Sequence, residues 1–253
     1  MSDMDPTQRF SARADNYARY RPGYPADVVA CLRDECGLTP QWFVADVGSG
    51  TGILTRLFLD NGNPVFAVEP NEAMRRAAER ELADYAGFVS VNGQAEATTL
   101  AAHSVDLVAA GQAFHWFDGP ASRVEFGRIL RPGGIVALVW NARAYEGDPL
   151  MAAYEGVLAA HGLGYHAVNH RSHAGDLTAL FTNGHTFRAF SHARYIDFAT
   201  LWGGFLSASY APLPGDARYE PMHDALRAAF DAHQRDGQVA FRYDTHLYFG
   251  RLD

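Results

Sequence analysis

Residues 44–55 read VADVGSGTGILT, and this is where the chain is built to do chemistry. A short apolar run delivers Asp46 and Val47 to a turn containing Gly48, Gly50 and Gly52, and helix-like sequence follows directly. Glycine lets the backbone bend sharply and lets a ligand approach with no Cβ in the way. A helix beginning just after such a turn offers unpaired N–H groups and positive potential to a carboxylate or phosphate. Glu69 ends the next apolar run, 21 residues after Gly48. An acid at that strand end can accept two hydrogen bonds from a ribose diol. Turn and acid together predict an adenosine-containing cofactor. A dinucleotide fingerprint needs G-x-G-x-x-G, and here Ile53 occupies the third position. That departure opposes an NAD-dependent oxidoreductase, which stays as an alternative.

The elements that must position these residues follow from periodicity. Short apolar runs at 43–47, 64–69, 88–91, 105–110 and 135–140 alternate with helical stretches to residue 60, over 71–84 and over about 120–129. Near-continuous apolar strands alternating with helices indicate a parallel sheet covered on both faces and, with right-handed crossovers, doubly wound. The expected architecture is therefore α/β and Rossmann-like, with a mostly parallel seven-stranded sheet. Before it come an amphipathic helix over 7–20, stopped by Pro22 and Pro25, and a second helix over 25–36, closed by Gly37. After it the rhythm changes: a helix over about 148–160, strands over 187–198 and 239–252, an aromatic segment 202–210 and a helix over about 219–235. These predict late strands of the same sheet with helices inserted to cap the site. Three parts result: an N-terminal helical cap (1–37), a cofactor-binding core (38–145) and a C-terminal part (146–253) with acceptor-side helices.

Composition narrows the function. With 48% hydrophobic and 20% charged residues, the chain reads as a globular protein with a large core. The net charge of −8 lacks the basic face that nucleic acid demands. Arg9, Arg13, Arg19 and Arg21 cluster near the start, but Asp3, Asp5 and Asp15 are interleaved with them. No signal sequence or membrane-length apolar run is apparent, so a cytoplasmic location is the expectation. Cys31 and Cys36 have no strong metal or redox spacing. His161, His166, His170 and His173 include helical metal-ligand spacings, but glycines interrupt them. No metal is expected.

The string D-x-G-S-G-T-G resembles the first motif of class I S-adenosylmethionine-dependent methyltransferases. Further segments resemble the type 11 branch. Phe10 to Pro25 fits F-S-x-x-A-x-x-Y-x-x-x-R-P-x-Y-P, and Gln112 to Phe117 reads Q-A-F-H-W-F. Arg131-Pro132-Gly133-Gly134 is the usual turn before the fifth strand, and Tyr243-Asp244-Thr245 precedes the last. The resemblance implies that S-adenosylmethionine is the cofactor and S-adenosylhomocysteine the product. It implies that Gly48, Ser49 and Gly50 cradle the methionine end, while Asp46 tethers the turn or the amino group. Glu69 holds the ribose, Pro70 and Met74 pack near the adenine, and Gln94, Ala95 and Glu96 line its edge. Glutamine stands at 94 where the family often has aspartate. Gln112, Ala113 and Phe114 leave the fourth strand at its carboxyl end, where ligands of open α/β sheets bind.

Methyl transfer from a sulfonium is an in-line displacement, so the protein mainly aligns the acceptor and excludes water. His115 suits proton abstraction; the alternative is a ring packed beside Trp116. Trp116 is either an acceptor-stacking face or core. Tyr20 and Arg21 reach the pocket if the N-terminal helix lies over the cofactor; otherwise they end that helix. The expected activity is methylation of a small-molecule acceptor, with O- or carboxyl-methylation favoured, by a monomer or homodimer that engages neither nucleic acid nor membrane. A non-catalytic cofactor-binding member of the fold is the other alternative.

Overall fold

A computed structural model describes residues 20–163, 174–208, 211–212 and 214–252. The expected helix over 7–20, apart from Tyr20, lies outside the described residues, as do His166, His170, His173 and Tyr210.

The strands are β1 (Val44–Val47), β2 (Val65–Val68), β3 (Phe88–Val91), β4 (Val105–Gly111), β5 (Leu130–Arg143), β6 (Thr186–Ile196) and β7 (Val239–Gly250). The helices are α1 (Asp27–Cys36), α2 (Ile53–Asp60), α3 (Glu72–Glu81), α4 (Gly119–Ile129), α5 (Pro149–His161), α6 (Ala174–Leu180), α7 (Phe198–Leu206) and α8 (Tyr219–His233). All seven strands join one sheet in the order β3-β2-β1-β4-β5-β7-β6. Strands β1 to β5 run parallel, and β7 is antiparallel to both β5 and β6. The sheet is Rossmann-like and mostly parallel. From β1 the chain winds outward to β3, then returns to place β4 on the other side of β1. A crevice opens at the carboxyl ends of strands at such a reversal.

Helices cover both faces, which is why the central strands are apolar throughout. On one face α1, α2 and α3 bury Leu32, Phe58 and Ala78 against Val44, Leu107 and Val139. On the other, α4 and α6 bury Phe126, Ile129 and Leu180 against Val108, Val136 and Leu138. Helices α5, α7 and α8 build a third cluster around Tyr154, Phe205 and Leu226, joined to the ends of β6 and β7 through Ile196 and Phe241.

Local chemistry sets the element ends. Gly37 closes α1 at φ +77°, with its N–H and that of Leu38 on the carbonyls of Arg33 and Leu32. Asn71, Asp118, Asp148 and Asp197 cap α3, α4, α5 and α7 by accepting from N–H groups of the first turn. Helix α2 differs: it starts on Gly52, which has no side chain to cap it.

Three features depart from the sequence reading. The Tyr243-Asp244-Thr245 string lies within β7 rather than before it. The Arg131–Gly134 turn lies inside β5. Pairing jumps from Val105↔Leu130 to Leu107↔Ile135, so the extra residues form a bulge with Gly133 at φ +80°. Helix α6 follows the glycine- and histidine-rich stretch and was not expected. Its seven residues are too few to establish a helical period.

Candidate functional site

The site grows from the end of β1, a strand buried along its whole length. Gly48 and Ser49 N–H both donate to the Val68 carbonyl (2.8 and 3.1 Å), and Gly52 N–H donates back to Ser49 (2.9 Å). Gly48, Gly50 and Gly52 all take positive φ, at +67°, +57° and +84°, a region that disfavours side chains. Their surroundings differ. A Cβ on Gly48 would lie 2.7 Å from Ala113 Cβ, and one on Gly52 would lie 2.6 Å from the Leu82 side chain. A Cβ on Gly50 would meet nothing within 4 Å. The turn is packed underneath at 48 and 52, and open at 50.

Glu69 is tied to that turn. Gly50 N–H donates to Oε2 (3.0 Å) and Asn71 N–H to Oε1 (2.9 Å). Burial pushes its carboxyl above the ordinary range, while these two N–H groups and Arg75 pull it back. A carboxylate offers about four lone-pair sites, so two remain for a diol. Asp46 is fully buried. Its Oδ2 accepts from the Thr55 hydroxyl (2.6 Å), while Oδ1 has no hydrogen-bond partner. Burial raises its pKa from 3.8 to about 7; the Thr55 hydroxyl and N–H oppose the rise, and Glu69 adds to it. Thr51 Oγ1 in the same turn is also buried without a partner.

Met74 is buried in α3, where its N–H meets the Asn71 cap (3.1 Å), and Pro70 is half-buried beside it. Gln94 is exposed and closes a small bridge with Ala97; Ala95 is buried. Glu96 Oε1 accepts from Asp118 N–H (2.8 Å) and the Ser122 hydroxyl (3.4 Å), tying this loop to the start of α4. Gln112, a non-glycine at φ +55°, donates from Nε2 to the Asn141 carbonyl (3.1 Å). Ala113 packs under Gly48, and Phe114 is core, edge-on to Phe117. His115 is half-buried with its ring 4.9 Å from that of Trp116, which is exposed. Tyr20 lies against α7, where a Cβ on Gly203 would come within 2.5 Å of its ring. Arg21 Nη2 donates to the Ser207 carbonyl (3.5 Å). Arg21 and Tyr24 also line a cavity of 630 Å³ bordered by Thr51, Gly52 and Ile53.

The structure thus brings Asp46, the glycine turn, Glu69 and Ala113 together around the β1–β4 reversal. Glu96, Gln112 and Phe114 are engaged in holding loops. Residues that the sequence reading passed over do comparable work. Arg75 Nη1 donates to the carbonyls of Glu69 and Pro70 (2.8 and 2.7 Å) and to Asn92 (3.2 Å), fastening the ends of β2 and β3. Asn141 Nδ2 donates to the Gly23 carbonyl (3.1 Å), and its Oδ1 accepts from the Thr245 hydroxyl (2.6 Å). His192 Nε2 lies 2.9 Å from Thr245 Oγ1. This chain links β6, β7 and β5 to the segment before α1. Thr245 lies in the Tyr243-Asp244-Thr245 string already noted; Asn141 and His192 carried no local signal.

Among the described residues no helix is long and apolar enough to cross a membrane, and no three His, Cys, Asp or Glu side chains gather as metal ligands.

Residues 45–138 match the family model of a methyltransferase domain. An uncharacterised methyltransferase of Mycobacterium tuberculosis is 36% identical over 142 residues, covering 56% of each chain. A malonyl-[acyl-carrier protein] O-methyltransferase of Enterobacter lignolyticus is 38% identical over 96 residues, covering 37% of each chain. The chain therefore spans about half or less of the length of these curated relatives. A solved structure from Anaeromyxobacter dehalogenans, described as a candidate type II methyltransferase, superposes with a TM-score of 0.70 at 25% identity, covering 92% of this chain and 98% of that one. With the glycine turn, the strand-end acid and the sheet order in place, residues 45–138 are similar to a methyltransferase domain, and these similarities support the type 11 branch of the class I S-adenosylmethionine-dependent methyltransferases.

Proposed function

We propose that the protein binds S-adenosylmethionine and moves its methyl group to a small-molecule acceptor by in-line displacement, with O- or carboxyl-methylation favoured. The observation that carries this reading is the glycine turn, which is open at Gly50 and flanked by Glu69 and Asp46. Those residues fit the group. Glu69 keeps acceptor sites for a ribose diol. The uncapped start of α2 suits a carboxylate. The unpartnered Asp46 Oδ1 favours positive charge nearby. When bound, the cofactor supplies a methyl already activated on a sulfonium.

The chain's own work is positioning. Gly48, Ser49 and Gly50 hold the methionine end, and Pro70, Met74, Gln94, Ala95 and Glu96 form the adenine side. Gln112, Ala113 and Phe114 shape the floor beneath the reacting centre. His115, Trp116, Tyr20 and Arg21 face the acceptor, and His115 takes a proton where the acceptor must lose one. Residues 20–37 and helices α5, α7 and α8 form the cap that excludes water. The 38% match to an O-methyltransferase supports oxygen as the methylated atom. Calorimetric titration with S-adenosylmethionine and S-adenosylhomocysteine, with NAD as the control, tests the cofactor. Micromolar binding of the sulfur nucleosides without NAD binding is expected. Binding of NAD alone would overturn the reading.

A further inference from the structure

We propose that Asp46 couples cofactor binding to the release of one proton, so that the site gains affinity for its cationic ligand as pH rises. This rests on the cofactor reading above. The geometry isolates the Asp46 carboxyl. It is fully buried, Oδ2 takes the Thr55 hydroxyl, and Oδ1 takes nothing. The neighbours in the sheet bring no cation. Asp46 pairs with Ala67 on β2 and Ala109 on β4. From α2 it meets Thr55, and the charged group facing it from the end of β2 is another acid, Glu69. Arg75, the cation nearest this pair in the hydrogen-bond network, is occupied with the carbonyls of Glu69 and Pro70.

An ionised carboxylate with a bare oxygen in apolar surroundings is costly, so the empty site keeps the proton. S-adenosylmethionine brings an ammonium and a sulfonium to the turn just above. Their field stabilises the ionised form, and the carboxyl proton passes to solvent. The acid is then the feature that selects a positively charged ligand. With the free carboxyl titrating near 7, linkage makes binding about tenfold weaker at pH 6 than at pH 8. S-adenosylhomocysteine lacks the sulfonium and is expected to release fewer protons.

The test is calorimetry with both nucleosides at pH 6, 7 and 8, in two buffers of different protonation enthalpy. The wild-type protein is expected to give a buffer-dependent enthalpy of proton release and the tenfold change in affinity. Asp46→Asn is expected to remove both. Thr55→Val keeps the shape but deletes the donor to the ionised form, and is expected to move the affinity midpoint to higher pH. Binding that is independent of pH and buffer, or equal proton release from Asp46→Asn, would overturn the proposal while leaving the cofactor reading intact. Absence of binding at every pH would overturn both.

Discussion

Alanine placed at Gly50 and at Gly48 should separate ligand binding from folding. Both glycines hold left-handed backbone, at φ +57° and +67°. Forcing alanine into that region costs about 1–2 kcal/mol. At Gly50 that is the whole folding cost, because the new methyl meets nothing within 4 Å. At Gly48 the methyl would sit 2.7 Å from Ala113 Cβ and 3.0 Å from the Phe117 ring. Ala113 has no rotamer with which to withdraw, so the loop that carries Gln112 and Phe114 must shift. Overpacking of this kind adds about 1–3 kcal/mol. Gly50→Ala is therefore expected to lose about 1–2 kcal/mol of stability and Gly48→Ala about 2–5 kcal/mol, read by urea denaturation followed by circular dichroism. Binding should rank the other way relative to stability. The Gly50 methyl stands in the open space over the turn, where the ligand's methionine end would lie. Its affinity for S-adenosylhomocysteine should fall at least about thirtyfold, equivalent to about 2 kcal/mol. Unchanged affinity in Gly50→Ala would mean that the ligand does not sit over the turn. Equal destabilisation by the two variants would mean that Ala113 yields to the clash.

Glu69→Ala should weaken S-adenosylhomocysteine binding more than about tenfold, the scale of losing charged hydrogen bonds to a diol; an unchanged dissociation constant by calorimetry would remove Glu69 from the site. Asp46 should also shape the stability of the empty protein. Its folded pKa, about 7, lies above its ordinary 3.8, so between those values the folded state holds a proton that the unfolded chain has lost, and stability falls as pH rises. Three units at about 1.4 kcal/mol each give about 4 kcal/mol. Denaturation at pH 4 and pH 8 should therefore find Asp46→Asn gaining on wild type at the higher pH, and a constant difference would refute the shift. His192 should be neutral at pH 7 with its proton on Nε2. Asn141 Oδ1 can only accept, so the Thr245 hydroxyl donates to it, and His192 must donate to Thr245. Burial and Arg194 lower the pKa of the ring. Long-range 15N–1H correlation spectra would reveal the tautomer, and a proton on Nδ1 alone would contradict the chain.

The sequence alone determined most of the elements around the candidate site and the glycine turn itself. Central strands buried on both faces are apolar runs, and helices carry their own caps and glycine stops, so β1 to β4 and α1 to α4 were readable from local pattern. The glycine turn is equally local: residues within a few positions of one another set its φ values and the start of α2. Glu69 was legible because strand length and helix length fix where β2 must end. Tertiary structure decided what depends on residues distant in the chain. Gly48 and Gly50 are both glycines in sequence, yet only the approach of Ala113 and Phe117, from the loop after β4, makes one packed and the other open. Glu96 is drawn to the start of α4, and Gln112 to the Asn141 carbonyl, by partners 22 and 29 residues away. Asn141, Thr245 and His192 are joined across 104 and 53 residues. Above all, Asp46 is an ordinary carboxylate in a short strand until β2, β4 and α2 close around it. Burial is a property of the assembled sheet, and it is burial with one oxygen unpartnered that makes this acid sensitive to charge and to pH.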